Sequence, residues 1–388
     1  MSDRQYDIVA FGATGFTGGL AAEYLAANAP PGTRWAVAGR RQDALRDVTD
    51  RLAAAPCPPS GTVVARVDDP ASVRAMTGAT RVLLTTVGPF EEHGEPVVRA
   101  CVETATDYLD ITGEPRFVDR MIDRYHADAE RAAIKIVSCC GFDSIPHDLG
   151  VLFTLTHLPH DVPITIEGFV RSRGTFSGGT WHSAVRAMGE LRAYAAERRA
   201  REKESAPAGR RVRGVRPRVH YERRLRAWAA PLPTIDPQVV LRSARLCEEY
   251  GPDFRYGHYA RVKNLSTIVG AGVAIGGIVA LAQLPPTRAL LFKVKDRGDG
   301  PSAEQRAKAW FTVTFLAEGG GERVTTEVAG GDPGYSETAK MLSESALCLA
   351  LERERTPARY GVITPAAAMG LPLVERLQRA GISFRRVD

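Results

Sequence analysis

Six cysteines are all that the 388 residues contain, at positions 57, 101, 139, 140, 247 and 348, with no CxxC pair and no regular spacing. That scarcity excludes a disulfide framework and a zinc ribbon, so no metal is expected and the thiols belong to a reduced, cytoplasmic setting. The N-terminus, Met1 to Asp7, has neither a basic n-region nor a cleavage site, so no signal peptide is expected. There is no internal repeat. No helix-turn-helix, zinc finger or RNA-binding signature accompanies the net charge of +6. Between residues 186 and 226 lie fourteen Arg or Lys against five Glu, an excess of +9 that leaves −3 for the rest. Basicity therefore belongs to one segment and not to a nucleic-acid-binding surface spread over the chain.

What is present is an ordinary globular composition, 44% hydrophobic and 25% charged, in a chain too long for one core. Residues 6–150 alternate between strands and helices. Strands are predicted at 6–11, 34–38, 62–67, 81–87, 108–111 and 134–138. Helices are predicted at 18–28, 44–55, 71–76, 96–104 and 116–133. This rhythm implies an α/β, doubly wound parallel sheet of about six strands, a Rossmann domain over 1–150. An α+β domain for substrate and oligomerisation is expected over 151–335. It holds a strand at 164–173, a long helix at 180–201, a mobile loop at 203–218 and a hairpin of 310–317 with 322–329 about a Gly-Gly-Gly turn. Residues 336–388 are expected to supply C-terminal helices that return to the first domain.

Gly12-Ala13-Thr14-Gly15-Phe16-Thr17-Gly18 joins the first strand to the first helix. Gly12 permits a tight turn, Gly15 lets backbone approach a pyrophosphate, and Gly18 lets helix and strand close on each other. At the end of strand two stand Arg40 and Arg41, where an NAD site would carry a carboxylate. The pair suits a 2′-phosphate and selects NADP(H); the plain alternative is two solvated residues opening the second helix. Asp68 is a contact on the adenine side, or equally a cap for the next helix. Val87-Gly88-Pro89-Phe90 ends strand four at the carboxyl edge, beside the crevice where ligands of such sheets bind.

Beyond these, Gly94, Cys101 and the run Asp107 to Glu114 follow, then Cys140-Gly141-Phe142-Asp143-Ser144-Ile145-Pro146-His147-Asp148-Leu149-Gly150. Ser177-Gly178-Gly179-Thr180, Gly331-Asp332-Pro333-Gly334-Tyr335 and Gly361 to Ala366 complete the set. In these blocks the chain resembles the saccharopine dehydrogenase-like oxidoreductases, and most closely their actinobacterial trans-acting enoyl reductase branch. The resemblance implies an NADP-type Rossmann domain and an inserted α+β domain. It also implies hydride delivery to a C=C bond conjugated to a carrier-held thioester. Phe142, Ser144 and Thr180 are the residues expected to line the substrate.

An enoyl reduction needs a proton donor and a group to stabilise an enolate oxygen. His93, Glu114 and Asp143 stand at strand ends and are the candidates. Each has a structural alternative: a loop histidine, a carboxylate bonded to nearby backbone, or, for Asp143 and Ser144, a cap on the helix starting near Ile145. The amides at that helix start are a possible oxyanion site. No Tyr-x-x-x-Lys of the short-chain reductases stands in the right place. Residues 264–287 run without a charge, and a buried or dimer-interface helix is expected ahead of a lipid-touching surface or a spanning helix. The Arg-rich 186–226 is either a solvated face or a dock for an acyl carrier protein or an anionic membrane. The expectation is a cytoplasmic, homodimeric NADPH-dependent reductase, peripherally membrane-associated, of bulky lipid- or polyketide-like enoyl or carbonyl substrates. The alternatives are a saccharopine-type amino-acid dehydrogenase and a non-catalytic NADP-binding, lipid-associated protein.

Overall fold

The computed structural model describes residues 4–174, 209–283, 287 and 300–388. They fall into two compact units, one of residues 1–145 with 331–382 and one of residues 146–330 with 383–388.

The first unit is built on β1 (Tyr6–Phe11), β2 (Trp35–Gly39), β3 (Gly61–Val64), β4 (Thr80–Thr85), β5 (Asp107–Asp110) and β6 (Lys135–Val137). Between them run α1 (Phe16–Asn28), α2 (Gln42–Leu52), α3 (Pro70–Gly78), α4 (Phe90–Thr104) and α5 (Pro115–Arg131). Every residue of β1, β2, β5 and β6 is buried, as apolar strands covered by helices on both faces must be. A seventh strand, β14 (Gly361–Ile363), joins in parallel beside β6, giving the order β14-β6-β5-β4-β1-β2-β3. The central six follow the doubly wound order that reverses between β1 and β4. The C-terminal part of this unit thus contributes a strand as well as helices, α10 (Ser336–Leu351) and α11 (Pro365–Arg379). Tyr24 of α1 donates to Glu344 of α10 at 2.7 Å, and Arg376 of α11 pairs with the same carboxylate at 2.7 Å.

The second unit begins with α6 (Ile145–Leu155), whose first residue belongs to the first unit, and β7 (Ile164–Arg173). After residue 208 come β8 (Arg211–Gly214), β9 (His220–Glu222), β10 (Ala227–Pro231), α7 (Asp236–Leu246), β11 (Asp253–Val262) and α8 (Leu265–Ala282). A short α9 (Ala303–Ala307) precedes β12 (Trp310–Gly319), β13 (Glu322–Gly330) and finally β15 (Ser383–Arg386). The eight strands run β15-β13-β12-β7-β11-β10-β9, with β8 also on β11. β12 and β13 pair antiparallel, and Gly320 and Gly321 at positive φ make the turn the sequence predicts. One expectation changes here. The loop of 203–218 carries β8, because Arg210 bonds the carbonyls of Cys247 and Gly251 and Arg213 pairs with Asp253. The predicted helix 180–201 and most of the Arg-rich segment lie outside the described residues.

Candidate functional site

The carboxyl ends of β1, β4, β5 and β6 converge around the glycine loop. Gly12 sits at φ +97°, and its carbonyl accepts from the Gly15 amide at 2.9 Å, which closes the turn. A Cβ at Gly18 would lie 2.1 Å from the Gly12 carbonyl oxygen, so only glycine lets α1 start this close to β1. Gly15, at the N-cap of α1, has no side chain to offer its first amides, which suits that helix N-terminus to an anion. A Cβ at Gly39 would lie 3.7 Å from Thr14 Oγ1, so β2 ends directly against this loop. Arg40 and Arg41 follow at once and are exposed, with Arg41 in the N-cap position of α2. These features fit a dinucleotide carrying a 2′-phosphate: a tight turn, an uncapped helix start and two guanidinium groups one residue from the loop. Asp68 is exposed and paired with Arg66 at 2.9 Å. It does not cap α3, because Asp69 does so through the amides of Ala71 and Ser72 at 3.1 and 3.3 Å.

Val87, Gly88 and Pro89 lead into α4 through a cis Gly88–Pro89 bond, and Phe90 packs on Phe117. Glu114 reaches over from the end of β5 and accepts from the amides of Phe90 and Glu91 at 3.4 and 2.7 Å. It therefore caps α4 at the positive end of the helix dipole. His93 lies one turn into α4, half-exposed, its Nε2 4.0 Å from Glu92. Of the three proton-donor candidates, Glu114 thus holds the start of α4, and His93 is half-exposed on that helix.

Asp143 is half-buried, and its Oδ2 lies 3.1 Å from where a Cβ of Gly113 would stand. The loop it occupies is held from two sides. Asp110, fully buried, accepts from Thr112 N, Cys139 N and Ser138 Oγ at 2.9, 3.1 and 2.9 Å. Burial pushes its carboxyl up to about 6 against those same hydrogen bonds. From the other side Thr338 Oγ1 accepts from Phe142 N at 3.1 Å and donates to the Pro333 carbonyl at 2.8 Å. Tyr335 sets its ring edge-on to Phe16 of the glycine loop, centroids 4.9 Å apart. Asp332 caps α10 through Ser336 N at 2.9 Å. The block Gly331 to Tyr335 thus fastens the cofactor loop and the β6 loop from the far end of the sequence.

Within the β6 loop two non-glycine residues hold positive φ, Cys139 at 64° and Ser144 at 130°. Such backbone costs energy and persists only where its surroundings enforce it. Ser144 is fully buried, and its hydroxyl finds no hydrogen-bond partner among the described residues. It caps nothing. The expected oxyanion amides are also spent: Ser144 N donates to Phe142 O at 2.7 Å and Ile145 N to Gly141 O at 3.0 Å. Phe142 and Ser144 share this loop, whereas Thr180 lies outside the described residues.

The second unit holds a cluster that residue-by-residue reading missed. His147 Nδ1 lies 2.8 Å from Asp236 Oδ1, and His258 Nε2 lies 3.5 Å from Asp236 Oδ2. Tyr256 Oη stands 3.1 Å from His258 Nδ1. Burial pushes Asp236 up, but the two imidazoles outweigh it and hold the carboxyl well below the usual range. Burial also lowers His258 to about 4. Two imidazoles and a carboxylate within 4.8 Å are donors a transition metal could use, while the contacts of both imidazoles with Asp236 already give the buried carboxylate partners. Nothing local in the sequence announces the trio, because it is assembled from α6, α7 and β11.

Comparison with known proteins agrees with this geometry. The family profile of the saccharopine dehydrogenase NADP binding domain matches residues 8–137. A trans-acting enoyl reductase of Mycobacterium ulcerans is 34% identical over 419 residues, 98% of this chain and 97% of its own. The saccharopine dehydrogenase-like oxidoreductase of Mus musculus is 30% identical over 418 residues, with the same shares of 98% and 97%. Among solved structures, apo saccharopine dehydrogenase (L-Glu forming) from Saccharomyces cerevisiae superposes with a TM-score of 0.56 at 12% identity. That match covers 98% of this chain and 99% of the yeast chain.

Proposed function

Because the chain belongs to the saccharopine dehydrogenase-like family and is an NADP-dependent oxidoreductase, we propose that it reduces the C=C bond of a bulky, carrier-held enoyl thioester. The relative in Mycobacterium ulcerans is named for that reaction, which supports the acceptor class. The observation in this chain that carries the reading is Ser144, a buried hydroxyl without a partner at the carboxyl edge of the sheet. A buried polar group of this kind is costly unless a ligand completes it.

When bound, NADPH supplies the hydride. Gly12 to Gly18 and the start of α1 hold its pyrophosphate, and Arg40 with Arg41 hold its 2′-phosphate. Glu114 keeps Val87 to Phe90 in place by fixing α4. Ser144 donates to the thioester carbonyl oxygen as charge builds there, and Asp143, in the same loop, delivers the proton to the α-carbon. NADPH consumption with a series of enoyl thioesters, free and carrier-bound, tests the assignment. Turnover is expected with the enoyl acceptors and not with a 2-oxoacid plus an amine. The reverse preference contradicts it. Ser144→Ala is expected to lower kcat roughly 100-fold, the usual cost of one oxyanion donor, with NADPH affinity unchanged.

A further inference from the structure

α8 is apolar along all 18 residues, with a mean hydropathy of 2.1, yet only 6% of it is buried. Residues 265–267, 269–272, 274, 276 and 277 are exposed, while Ile268, Ile278 and Val279 are half-buried and Ala282 at the end of the helix is buried. Added Cβ atoms at Gly270, Gly272, Gly276 and Gly277 would meet nothing within 4 Å. The expectation of a buried helix is therefore corrected: most of its length is exposed. A helix that is hydrophobic all round and unburied asks for an apolar solvent. A second copy of the chain would cover one stripe and leave the other faces in water.

The sheet from which α8 departs indicates what that solvent borders. β11 leads into α8 and runs parallel to β7, while β12 runs antiparallel to β7 with Trp310 opposite Arg173. The chain thus leaves the sheet for α8 and re-enters it for β12 at one end. At that end lie Arg171 and Arg173 of β7, Arg226 before β10, and Lys263 before α8. Trp228, opposite Val262, and Trp310 are half-buried there, and the Arg171 guanidinium sits 5.2 Å from the Trp310 ring centroid. Basic groups with tryptophans form the collar of a membrane interface on anionic lipid. At ~1.5 Å per residue α8 is ~27 Å long, comparable to the ~30 Å hydrocarbon layer that would receive it. We infer that α8 anchors the protein to an anionic bilayer from one side. This goes beyond the proposed reaction and does not rest on it.

Flotation of the purified full chain with phosphatidylcholine vesicles, with and without phosphatidylserine, tests the inference. Wild-type protein is expected to float with both vesicles, more strongly with the anionic ones, and to resist release by salt. Val269→Asp, at an exposed position in α8, is expected to weaken partitioning on the order of 100-fold. Arg173→Glu with Lys263→Glu is expected to weaken it on the order of tenfold or more, on anionic vesicles only. Leu281→Asp repeats the first test at the other end of α8, and an unchanged NADPH titration certifies each variant as folded. Absence of wild-type flotation overturns the inference, as does a Val269→Asp protein that floats normally. Conversion of an oligomer to monomer by Val269→Asp, without flotation of either form, assigns α8 to a second copy instead.

Discussion

Gly18 has room for a hydrogen and little else, because the Gly12 carbonyl lies where a methyl group would go. The obstacle is backbone, which cannot swing aside as a side chain does. Gly18→Ala is therefore expected to reduce NADPH affinity at least roughly 100-fold in a fluorescence titration, since the loop must open to admit the methyl. Arg40 and Arg41 act differently, by charge alone. Removing both with alanine is expected to weaken NADPH roughly 10- to 100-fold, the cost of charge-assisted bonds to a phosphate, and to leave NADH affinity unchanged. An equal loss for both cofactors would return the pair to the solvated helix opening. Glu114 separates positioning from chemistry. Its carboxylate accepts from the amides of Phe90 and Glu91, and glutamine keeps one acceptor oxygen whereas alanine keeps none. Glu114→Gln is expected to retain most of kcat and Glu114→Ala to lose it along with substrate affinity. A dead glutamine variant would make Glu114 the proton donor.

At the level of elements, the His147–Asp236–His258 cluster ties α6, α7 and β11 together, and its charge state follows pH. An unfolded chain protonates His258 near its ordinary 6.5, the folded one only near about 4. The unfolded state thus binds more protons between those values, and stability is lost as pH falls from 6.5 toward 4. That interval corresponds to about 3 kcal/mol, and the depressed Asp236 adds to the loss below it. The thermal midpoint measured against pH is expected to fall through this window, and His258→Gln to flatten the fall. A wild-type midpoint independent of pH from 7 to 4 would contradict it.

The same elements explain what the sequence made legible. β1, β2 and β4 are apolar runs bounded by glycine or polar turns, and the glycine loop follows one of them, so strand, turn and cofactor site stand together. β14 has only three residues and becomes a strand by pairing with β6, a partner distant in sequence. Residues 219–263 carry β9 to β11 and α7, and β11, with its Tyr256-Gly257-His258-Tyr259, carries the aromatic signal that marks a strand. The role of Asp110 depends on Thr112, Ser138 and Cys139 meeting it, which no local pattern reports. α8 was visible as apolar; hydropathy alone does not say what covers it.

On the scale of the whole molecule, the two ends of the sequence build one unit and the middle builds another. The first unit holds both the glycine loop and the loop of Ser144, braced by Gly331 to Thr338. The second carries the lipid-seeking helix and the basic collar. The central claim is that hydride passes from NADPH to the carbon β to a thioester. It is tested most directly with NADPH deuterated on one face of the nicotinamide and a carrier-bound enoyl thioester, the product being read by mass spectrometry. The account predicts one deuterium at the β-carbon from one labelled face only, and none with Gly18→Ala. Product without deuterium from either face, or label on a carbonyl carbon instead, would contradict it.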